Sequence, residues 1–370
     1  MICLGNLNLR ILFVNTHNYK PQSVGGMAIL LDNICLGCIQ TGNHASVLAG
    51  FSSKTDGFGR RTRIRMKFNK VLGGQSVARD HFLSYPTWRA WDPIGAIPYV
   101  VSKETPDLIV IMGGAVVPAA RAARMTGVPV SVQVHDVEFD WHKGDFSELS
   151  DLQIVANSNF TAEKYHKCFG VTSEVVYPYM PLERFRVNTR RTHVTFVNPI
   201  IRKGLRLALE IAALCPEIAF EFVGKLPDVD EQGQKVCWGG NIGRNITLTP
   251  FRTDMKEVYE KSRVLLVPSK WEETYGQVVN EAQISGIPVL ASDRGGIPEA
   301  VGKGGIVLSP HLPATEWAKA LRKIWSDEHH YEELSRRAVE SATREELQYN
   351  YQMEKRLGLY RAAIRDFTTT

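Results

Sequence analysis

The sequence predicts an α/β protein of two doubly wound, parallel-sheet domains that face a central cleft. Three observations support this prediction. Short runs rich in Val, Ile and Leu alternate with longer amphipathic stretches, the alternation occurs twice, and a stretch without either period separates the two series. With 370 residues, 44% hydrophobic and 22% charged, the chain is long and apolar enough for two full cores.

The short apolar runs are the predicted strands. Continuous apolar runs are typical of strands that are buried on both faces of a parallel sheet. Strand–helix alternation predicts right-handed βαβ units, whose ligands lie at the carboxyl ends of the strands. The runs are 10–16, 44–51, 107–113, 129–136 and 153–158 in the first half, and 194–199, 219–224, 246–251, 263–269, 288–293 and 305–309 in the second.

The stretch between the two series sets the predicted domain boundaries. Residues 177–193 contain two prolines and many polar residues without a strand or helix period, which is typical of a linker. We therefore expect one domain over 1–180 and a second over 181–345. The last helical pattern, 346–370, is expected to pack back on the first domain.

Composition narrows the class of protein further. The net charge of +5 permits an anionic ligand or a membrane surface but does not require nucleic acid. The N-terminus lacks a signal-peptide pattern, and no run approaches the roughly 20 apolar residues that span a bilayer.

The six cysteines do not form a disulfide pattern, and Cys35 and Cys38 are expected to be a buried pair in a helix. His142 has no neighbouring ligand set for a metal, and a cytoplasmic protein is expected.

Residues 54–70 form a basic segment with seven basic residues and one Asp. One interpretation is a solvated face, such as an edge strand in which Arg61, Arg63 and Arg65 point to water. The other is a peripheral contact with anionic lipid at the inner membrane face, because apolar side chains alternate with the charges. Nucleic acid is a weaker third interpretation.

The segment 263–301 contains the most informative pattern. A strand ends at Pro268-Ser269, and a loop leads to Gly276, where a helix begins and runs to about Ser285. Backbone N–H groups and the positive end of that helix suit a diphosphate. A carboxylate accepts two hydrogen bonds from a cis-diol, so Glu281 can hold a ribose, and Glu273 can reach sugar hydroxyls. The alternative is that both glutamates only cap and solvate a helix.

The order of Pro-Ser, Glu, Tyr-Gly, Glu-Ala, Gly-Ile-Pro-Val and Gly-Gly-Ile-Pro-Glu closely resembles the family-4 retaining glycosyltransferases of the GT-B fold, also called glycosyltransferase group 1. Gly25-Gly26, Val134-His135-Asp136 and Lys203-Gly204 match that family with lower specificity. The resemblance implies two Rossmann-like domains, an N-terminal one for the acceptor and a C-terminal one for the nucleotide sugar. It also implies transfer from a UDP-, GDP- or TDP-sugar to a hydroxyl acceptor with retained configuration, without a cofactor and without a required metal.

The resemblance assigns roles to individual residues. It implies catalytic roles for His135, Lys203 and Glu273. One position departs from the family, because Asn198 stands where the family usually has an arginine. Arg202 could supply the missing charge, or Lys203 could act alone. The residues implied in donor binding are Gly25, Gly26, Asn198, Arg202, Lys203, Thr274, Tyr275, Gly276, Gln277 and Glu281.

The expected mechanism is electrostatic. Lys203, with or without Arg202, and the helix that begins near Gly276 would stabilise the departing diphosphate, and domain closure would exclude water. No carboxylate is assigned as a covalent nucleophile. Two alternatives stay open: a nucleotide-sugar epimerase on the same fold, and a non-catalytic sugar-nucleotide binding protein. A dinucleotide dehydrogenase is less favoured, because the first glycine loop lacks G-x-G-x-x-G.

Overall fold

The computed structural model describes residues 8–23, 25–52, 57–74, 76–229, 232–236, 238, 242–252 and 254–369. They form two compact units, each with its own sheet. The first unit runs to Tyr179 and also includes the chain from Asn350 onwards, and the second unit is Met180–Tyr349.

The first unit contains an eight-stranded sheet with the order β3-β4-β2-β1-β5-β6-β7-β8. All neighbouring strands are parallel except β3 and β4, which are antiparallel. The strands are β1 Arg10–Asn18, β2 His44–Gly50, β3 Val77–Asp80, β4 Thr87–Ala90, β5 Leu108–Met112, β6 Val130–Val134, β7 Gln153–Ala156 and β8 Glu174–Val175.

The helices of the first unit include one from the far end of the chain, α13 Tyr349–Thr369. The Gln153 side chain donates to the Leu359 carbonyl at 2.7 Å, and the rings of Phe13 and Tyr360 are 6.3 Å apart. The helix α13 therefore packs on the first sheet. The other helices are α1 Gly26–Gln40, α2 Gly57–Gly73, α3 Ile97–Glu104, α4 Val116–Arg124 and α5 Asn159–Phe169, with 3-10 turns at Phe139–His142 and Phe146–Leu149.

The second unit contains a six-stranded, fully parallel sheet with the order β11-β10-β9-β12-β13-β14. Its strands are β9 His193–Val197, β10 Phe220–Val223, β11 Ile246–Thr249, β12 Ser262–Val267, β13 Val289–Ser292 and β14 Gly305–Leu308. Its helices are α6 Leu182–Phe185, α7 Leu205–Leu214, α8 Lys256–Tyr259, α9 Gln277–Gln283, α10 Ile297–Val301, α11 Ala314–Ser326 and α12 Glu328–Ala342, with 3-10 turns at Ile201–Lys203 and Glu345–Leu347.

Strand burial explains why apolar runs mark these sheets. All five residues of β5 are buried, as are all five of β6, because helices cover both faces. The predicted fold class, with two Rossmann-like parallel sheets, is confirmed. In the second unit the strand order reverses between β9 and β12, and ligands of doubly wound sheets bind at such a switch point. The loops after β9 and β12 are therefore where a ligand is expected.

Several local predictions differ from the structure. The strands β3, β4 and β8 carry no long apolar run, and the predicted linker contains the short helix α6. The edge-strand interpretation of Arg61, Arg63 and Arg65 is wrong, because these residues lie in the helix α2. Lys54 to Asp56 of that basic segment lie outside the described residues.

Candidate functional site

The two loops at the switch point of the second sheet bring Lys203 and Glu273 together. Lys203 ends the 3-10 turn that follows β9, and Glu273 lies in the loop that follows β12. Although they are 70 residues apart, Lys203 Nζ lies 3.3 Å from Glu273 Oε2. Two of the three predicted catalytic residues therefore form an ion pair at the carboxyl edge of this sheet.

Backbone contacts between the loops hold this ion pair. The Arg202 carbonyl accepts hydrogen bonds from the backbone N–H groups of Lys270 and Trp271, at 3.0 and 3.1 Å. Gly204 follows with a φ of 86°, and a Cβ at this position would overlap the Pro268 carbonyl. Only glycine combines this backbone conformation with such a close approach. This close approach is the physical reason for a glycine after Lys203.

The glycine pair of the Gly-Gly-Ile-Pro-Glu sequence fixes the loop from its other side. A Cβ on Gly295 would overlap the Glu273 carbonyl, and one on Gly296 would overlap the Thr274 carbonyl. Gly296 N–H also donates to the Glu273 carbonyl at 2.6 Å. The glycine pair thereby holds the backbone of Glu273, while Lys203 contacts its carboxylate.

The Glu273 carboxylate is buried and only partly satisfied. The residue is 7% exposed, and its Oε2 faces Lys203. Its Oε1 is buried and has no hydrogen-bond partner within the described part of the chain. Leaving a buried acceptor without a donor is unfavourable. A ligand hydroxyl that donates to Oε1 would therefore be favoured.

Glu281 lies in α9, and its carboxylate is oriented by Tyr259. The Tyr259 hydroxyl donates to Glu281 Oε2 at 2.9 Å. Burial raises the pKa of Glu281, whereas the Tyr259 hydrogen bond and the charges of Arg184 and Lys203 lower it. These opposing effects on its pKa leave a carboxyl group that depends on its donors and on nearby cations to stay ionised.

Arg202 and Asn198 form the rest of the turn after β9. The Arg202 guanidinium carbon lies 4.2 Å from the ring centroid of Trp271, a cation–π contact. Asn198 has a φ of 58°, its N–H donates to the Val223 carbonyl, and its own carbonyl accepts from Ile200 N–H. Asparagine adopts this left-handed conformation more readily than most residues. Asn198 therefore lies in a backbone turn that requires the left-handed conformation.

The remaining predicted donor-binding residues start α9. Gly276 has a φ of 86° and precedes the first helical residue, Gln277, which is half-buried like Thr274. The Tyr275 side chain is buried, and its hydroxyl accepts from Arg344 at 3.3 Å. Tyr275 would therefore reach a ligand through its backbone. The helix ends at Gln283, two residues before the predicted end.

Three predicted residues lie in the first unit. Gly25 caps α1, which begins at Gly26, and a Cβ on Gly25 would meet no described atom within 4 Å. His135 follows β6 directly at the carboxyl edge and is half-buried. Burial, and secondarily the charge of Arg356, lowers the pKa of His135 to about 3. The imidazole is therefore neutral at physiological pH.

The polar neighbourhood of His135 was not predicted from the sequence. Arg356 of α13 is buried and donates to the Gln133 side chain at 2.8 Å. Burial, and then the charge of Glu138, raises the pKa of Asp136 from 3.8 to about 7. A signal for Arg356 was present, because it shares the apolar helix face of Met353, Leu357 and Tyr360.

Other sequence-level candidates have ordinary surroundings. Cys35 and Cys38 are buried free thiols in α1. His142 is buried, with its Nε2 2.6 Å from the Tyr165 hydroxyl. Among the described residues, no group of three or more His, Cys, Asp or Glu side chains could hold a metal ion. No helix in the described ranges is both long and apolar enough to cross a membrane.

Comparison with known sequences finds a family model that matches within the second unit, and individual relatives. The model of the family described as "Glycosyl transferases group 1" matches residues 183–343. A D-inositol 3-phosphate glycosyltransferase of Mycobacterium marinum is 27% identical over 252 residues, which cover 58% of this chain and 51% of that protein. The enzyme of the same name from Corynebacterium kroppenstedtii is 36% identical over 93 residues, 25% of this chain and 20% of its own length. The chain thus spans about half or less of these relatives.

Comparison with solved structures covers nearly the whole chain. HepE of Anabaena, solved in complex with UDP, has a TM-score of 0.73 at 17% identity, covering 96% of this chain and 100% of that one. Sucrose-phosphate synthase of Thermosynechococcus elongatus has a TM-score of 0.73 at 16% identity, covering 96% and 99%. At these identities the likeness establishes a shared fold.

Proposed function

We propose that the chain transfers a sugar from a nucleotide-diphosphate sugar to an acceptor hydroxyl, because residues 183–343 match the glycosyltransferase group 1 model and the fold is GT-B. The proposal includes retention of the anomeric configuration, a hexosyl donor, and no need for a metal or another cofactor. Polysaccharide biosynthesis in the cytoplasm is the proposed setting.

The observation that carries this proposal is the Lys203–Glu273 pair at the switch point of the second sheet. Lys203 supplies a positive charge, and Glu273 supplies a buried oxygen without a donor. A nucleotide sugar has the complementary groups, because its diphosphate is anionic and its sugar hydroxyls donate hydrogen bonds. One loop pair could therefore hold both halves of the donor.

The charges of this site would act on the leaving group. As the bond between the anomeric carbon and the diphosphate oxygen breaks, negative charge grows on the diphosphate, and Lys203 stabilises it. Arg202, which stacks on Trp271, is the proposed second cation. It would replace the arginine that the family usually has where this chain has Asn198. Because two cations could neutralise the leaving group, no metal is needed. The proposed role of Glu281 is to accept hydrogen bonds from the ribose.

His135 is proposed to contact a sugar or acceptor hydroxyl in its neutral form. A pKa of about 3 excludes a protonated imidazole at neutral pH, so this side chain can donate and accept hydrogen bonds but cannot carry a charge there. Gly25 and Gly26 are proposed to let a phosphate or acceptor approach the start of α1, because no described atom lies within 4 Å of a Cβ at Gly25.

The proposed partners also include an anionic membrane surface. Helix α2 carries six of the seven basic residues of the predicted segment. Each basic side chain near an anionic surface contributes about 1 kcal/mol, so a weak peripheral association is expected. Nucleic acid is not a proposed partner.

The test is a transfer assay with purified protein. UDP-glucose is the first donor to try, because HepE was solved with UDP-glucose, and an inositol phosphate is the first acceptor, because of the relatives' name. A thermal-shift screen against UDP, GDP, TDP and their sugars then identifies which nucleotide base the protein binds best. We expect NMR to show that the product keeps the anomeric configuration of the donor. We also expect the product to form both with and without EDTA.

The assay also separates the alternatives. An epimerase would convert the donor without any acceptor, and a binding protein would gain thermal stability from the donor but form no product with a broad acceptor panel. A product with inverted configuration, or activity that EDTA abolishes, would contradict the proposed mechanism.

A further inference from the structure

Helix α2 has an exposed apolar stripe. Ile64, Phe68 and Val71 are 67%, 64% and 85% exposed, and their spacing of four and three residues places them on one helix face. The opposite face holds Thr62 and Met66, both buried. Met66 packs against Phe51 and Ala78 of the first unit. The stripe therefore points away from the body of this unit.

Basic side chains border the stripe on both sides. Arg61 and Arg65 lie at one border and Lys67 at the other, by helical position, and all three are exposed. The helix contains no acidic residue, and Arg61, Arg63, Arg65, Lys67 and Lys70 form no ion pair with any described residue. By contrast, Arg121, Arg124 and Lys167 of the same unit each pair with a carboxylate. Helix α2 thus combines an apolar stripe with uncompensated positive charge.

We infer that the stripe of Ile64, Phe68 and Val71 inserts into the acyl boundary of an anionic bilayer while the flanking cations lie among the headgroups. This inference rests on the proposed contact with an anionic membrane and specifies how the contact is made. A lipid surface offers both complements, negative charge at the headgroups and an apolar layer a few ångströms below them. Arg and Lys suit the border because their long stems keep the charged ends in water.

The apolar stripe favours a bilayer over a polyanion. A nucleic acid would satisfy the cations but would leave the three apolar side chains in water. Electrostatic adsorption alone would be lost at high salt, because screening removes the attraction. Insertion predicts a component of binding that survives high salt, since burial of apolar surface does not depend on screening.

The test is sedimentation of the full chain with phosphatidylcholine vesicles, with and without 30 mol% phosphatidylglycerol. One variant removes the stripe, with Ile64→Ser, Phe68→Ser and Val71→Ser. A second removes charge, with Arg61→Gln, Arg65→Gln and Lys67→Gln. The matched control changes Arg121, Arg124 and Lys167 to Gln, which lowers the net charge by the same amount, from +5 to +2. Thermal melting verifies that every variant is folded.

We expect wild type to bind the anionic vesicles and to retain part of that binding at 0.5 M salt. The stripe variant should lose at least tenfold in partition coefficient and keep no salt-resistant binding. The charge variant should lose binding at low salt, and the matched control should change little. A Phe68→Trp reporter should be quenched by brominated lipid chains, whereas Met125→Trp, at an 86% exposed position of the same unit, should not.

Each contrary outcome overturns a different part of the proposal. If the stripe variant binds like wild type and salt releases all protein, insertion is overturned and electrostatic contact stands. If neither vesicle retains the protein, the membrane contact itself is wrong. If RNA binding weakens with charge removal while vesicle binding is absent, the helix is a polyanion site. Sugar transfer to a soluble acceptor is measured alongside, so its failure is recorded independently of vesicle binding.

Discussion

The two units have similar parallel sheets, but Glu273 of the second unit and His135 of the first are held in different ways. In the second unit, backbone touches backbone: Gly204 and Gly295 leave no room for a Cβ, and the Arg202 carbonyl joins the two loops. In the first unit, close backbone contact occurs at Gly50, but side chains position the neighbourhood of His135, through the Arg356–Gln133 hydrogen bond. A Cβ on Gly25 would meet no described atom within 4 Å.

This difference bears on which residues each arrangement accepts. Backbone packing accepts only glycine at a few positions, so a recognisable spacing of residues accompanies it. Side-chain packing can be rebuilt with other residues of similar size and polarity. The family model matches residues 183–343, a range that includes Gly204 and Gly295. The predictions below test this contrast, from the largest expected effect to the smallest.

The largest effect is expected for Lys203→Ala in the second unit. Removal of one group that stabilises developing negative charge typically lowers turnover by about 10²–10³-fold. We expect kcat to fall at least a hundredfold and KM to rise far less, because the charge matters most as the diphosphate leaves. Lys319→Ala, an exposed change on α11, is the control and should keep full activity. Unchanged turnover in Lys203→Ala would move the role to Arg202, which the double variant would test.

Gly295→Ala should destabilise the second unit by about 3 kcal/mol. The residue has a φ of 60°, and its new Cβ would overlap the Glu273 carbonyl. Gly25→Ala is the matched change in the first unit and should alter the free energy of unfolding by less than about 0.5 kcal/mol. Urea unfolding of both variants measures the contrast. Equal effects would show that the two units are not held differently.

Asp136→Asn tests the side-chain network of the first unit through pH. The folded-state pKa of Asp136 is raised from 3.8 to about 7, so the folded protein binds a proton more tightly than the unfolded chain. Wild type should therefore lose stability as pH rises from about 4 through 7. The variant should be more stable at pH 8 by about 2 kcal/mol and equal to wild type near pH 3. A pH-independent difference would contradict this electrostatic account.

Glu281→Ala should weaken nucleotide binding by at least tenfold without unfolding the protein, since a charge-assisted hydrogen bond contributes roughly 1.5–3 kcal/mol. Because burial raises the pKa of Glu281, nucleotide affinity of wild type should fall as pH decreases through that raised pKa. Calorimetric titration measures both. Tyr259→Phe, which removes the donor to Glu281, should shift the loss of affinity to higher pH.

The sequence predicted the fold well because a parallel sheet has a strong signal. Buried strands such as β5 read as uninterrupted apolar runs. The strands β3 and β4 were missed, because Val77–Asp80 and Thr87–Ala90 carry charged side chains within four residues. One of these, Arg89, is buried with Asp80 as its partner, and such a pair is invisible to a hydrophobic pattern.

The candidate site was predictable only where spacing is local. The positions of Glu273, Gly276 and Glu281 follow from one stretch of chain. The contact of Glu273 with Lys203 joins residues 70 apart, and the stacking of Arg202 on Trp271 joins residues 69 apart, so neither can be derived from periodicity. The pKa of His135 is lowered mainly by burial and secondarily by the charge of Arg356, which reaches β6 only because α13 folds back.

The return of α13 to the first unit has a consequence for the order in which the protein is made. On a ribosome, the second unit is continuous and is complete once Tyr349 has emerged, whereas the first unit lacks α13 until then. At roughly 5–20 residues per second, the first unit waits about 10–40 s between emergence of Tyr179 and emergence of α13. During that interval the face of β6 that carries Gln133 lacks its cover. The unit synthesised first is thus the one finished last. A nascent chain halted when Tyr349 has just emerged from the ribosome should show this by protease cleavage confined to the first unit.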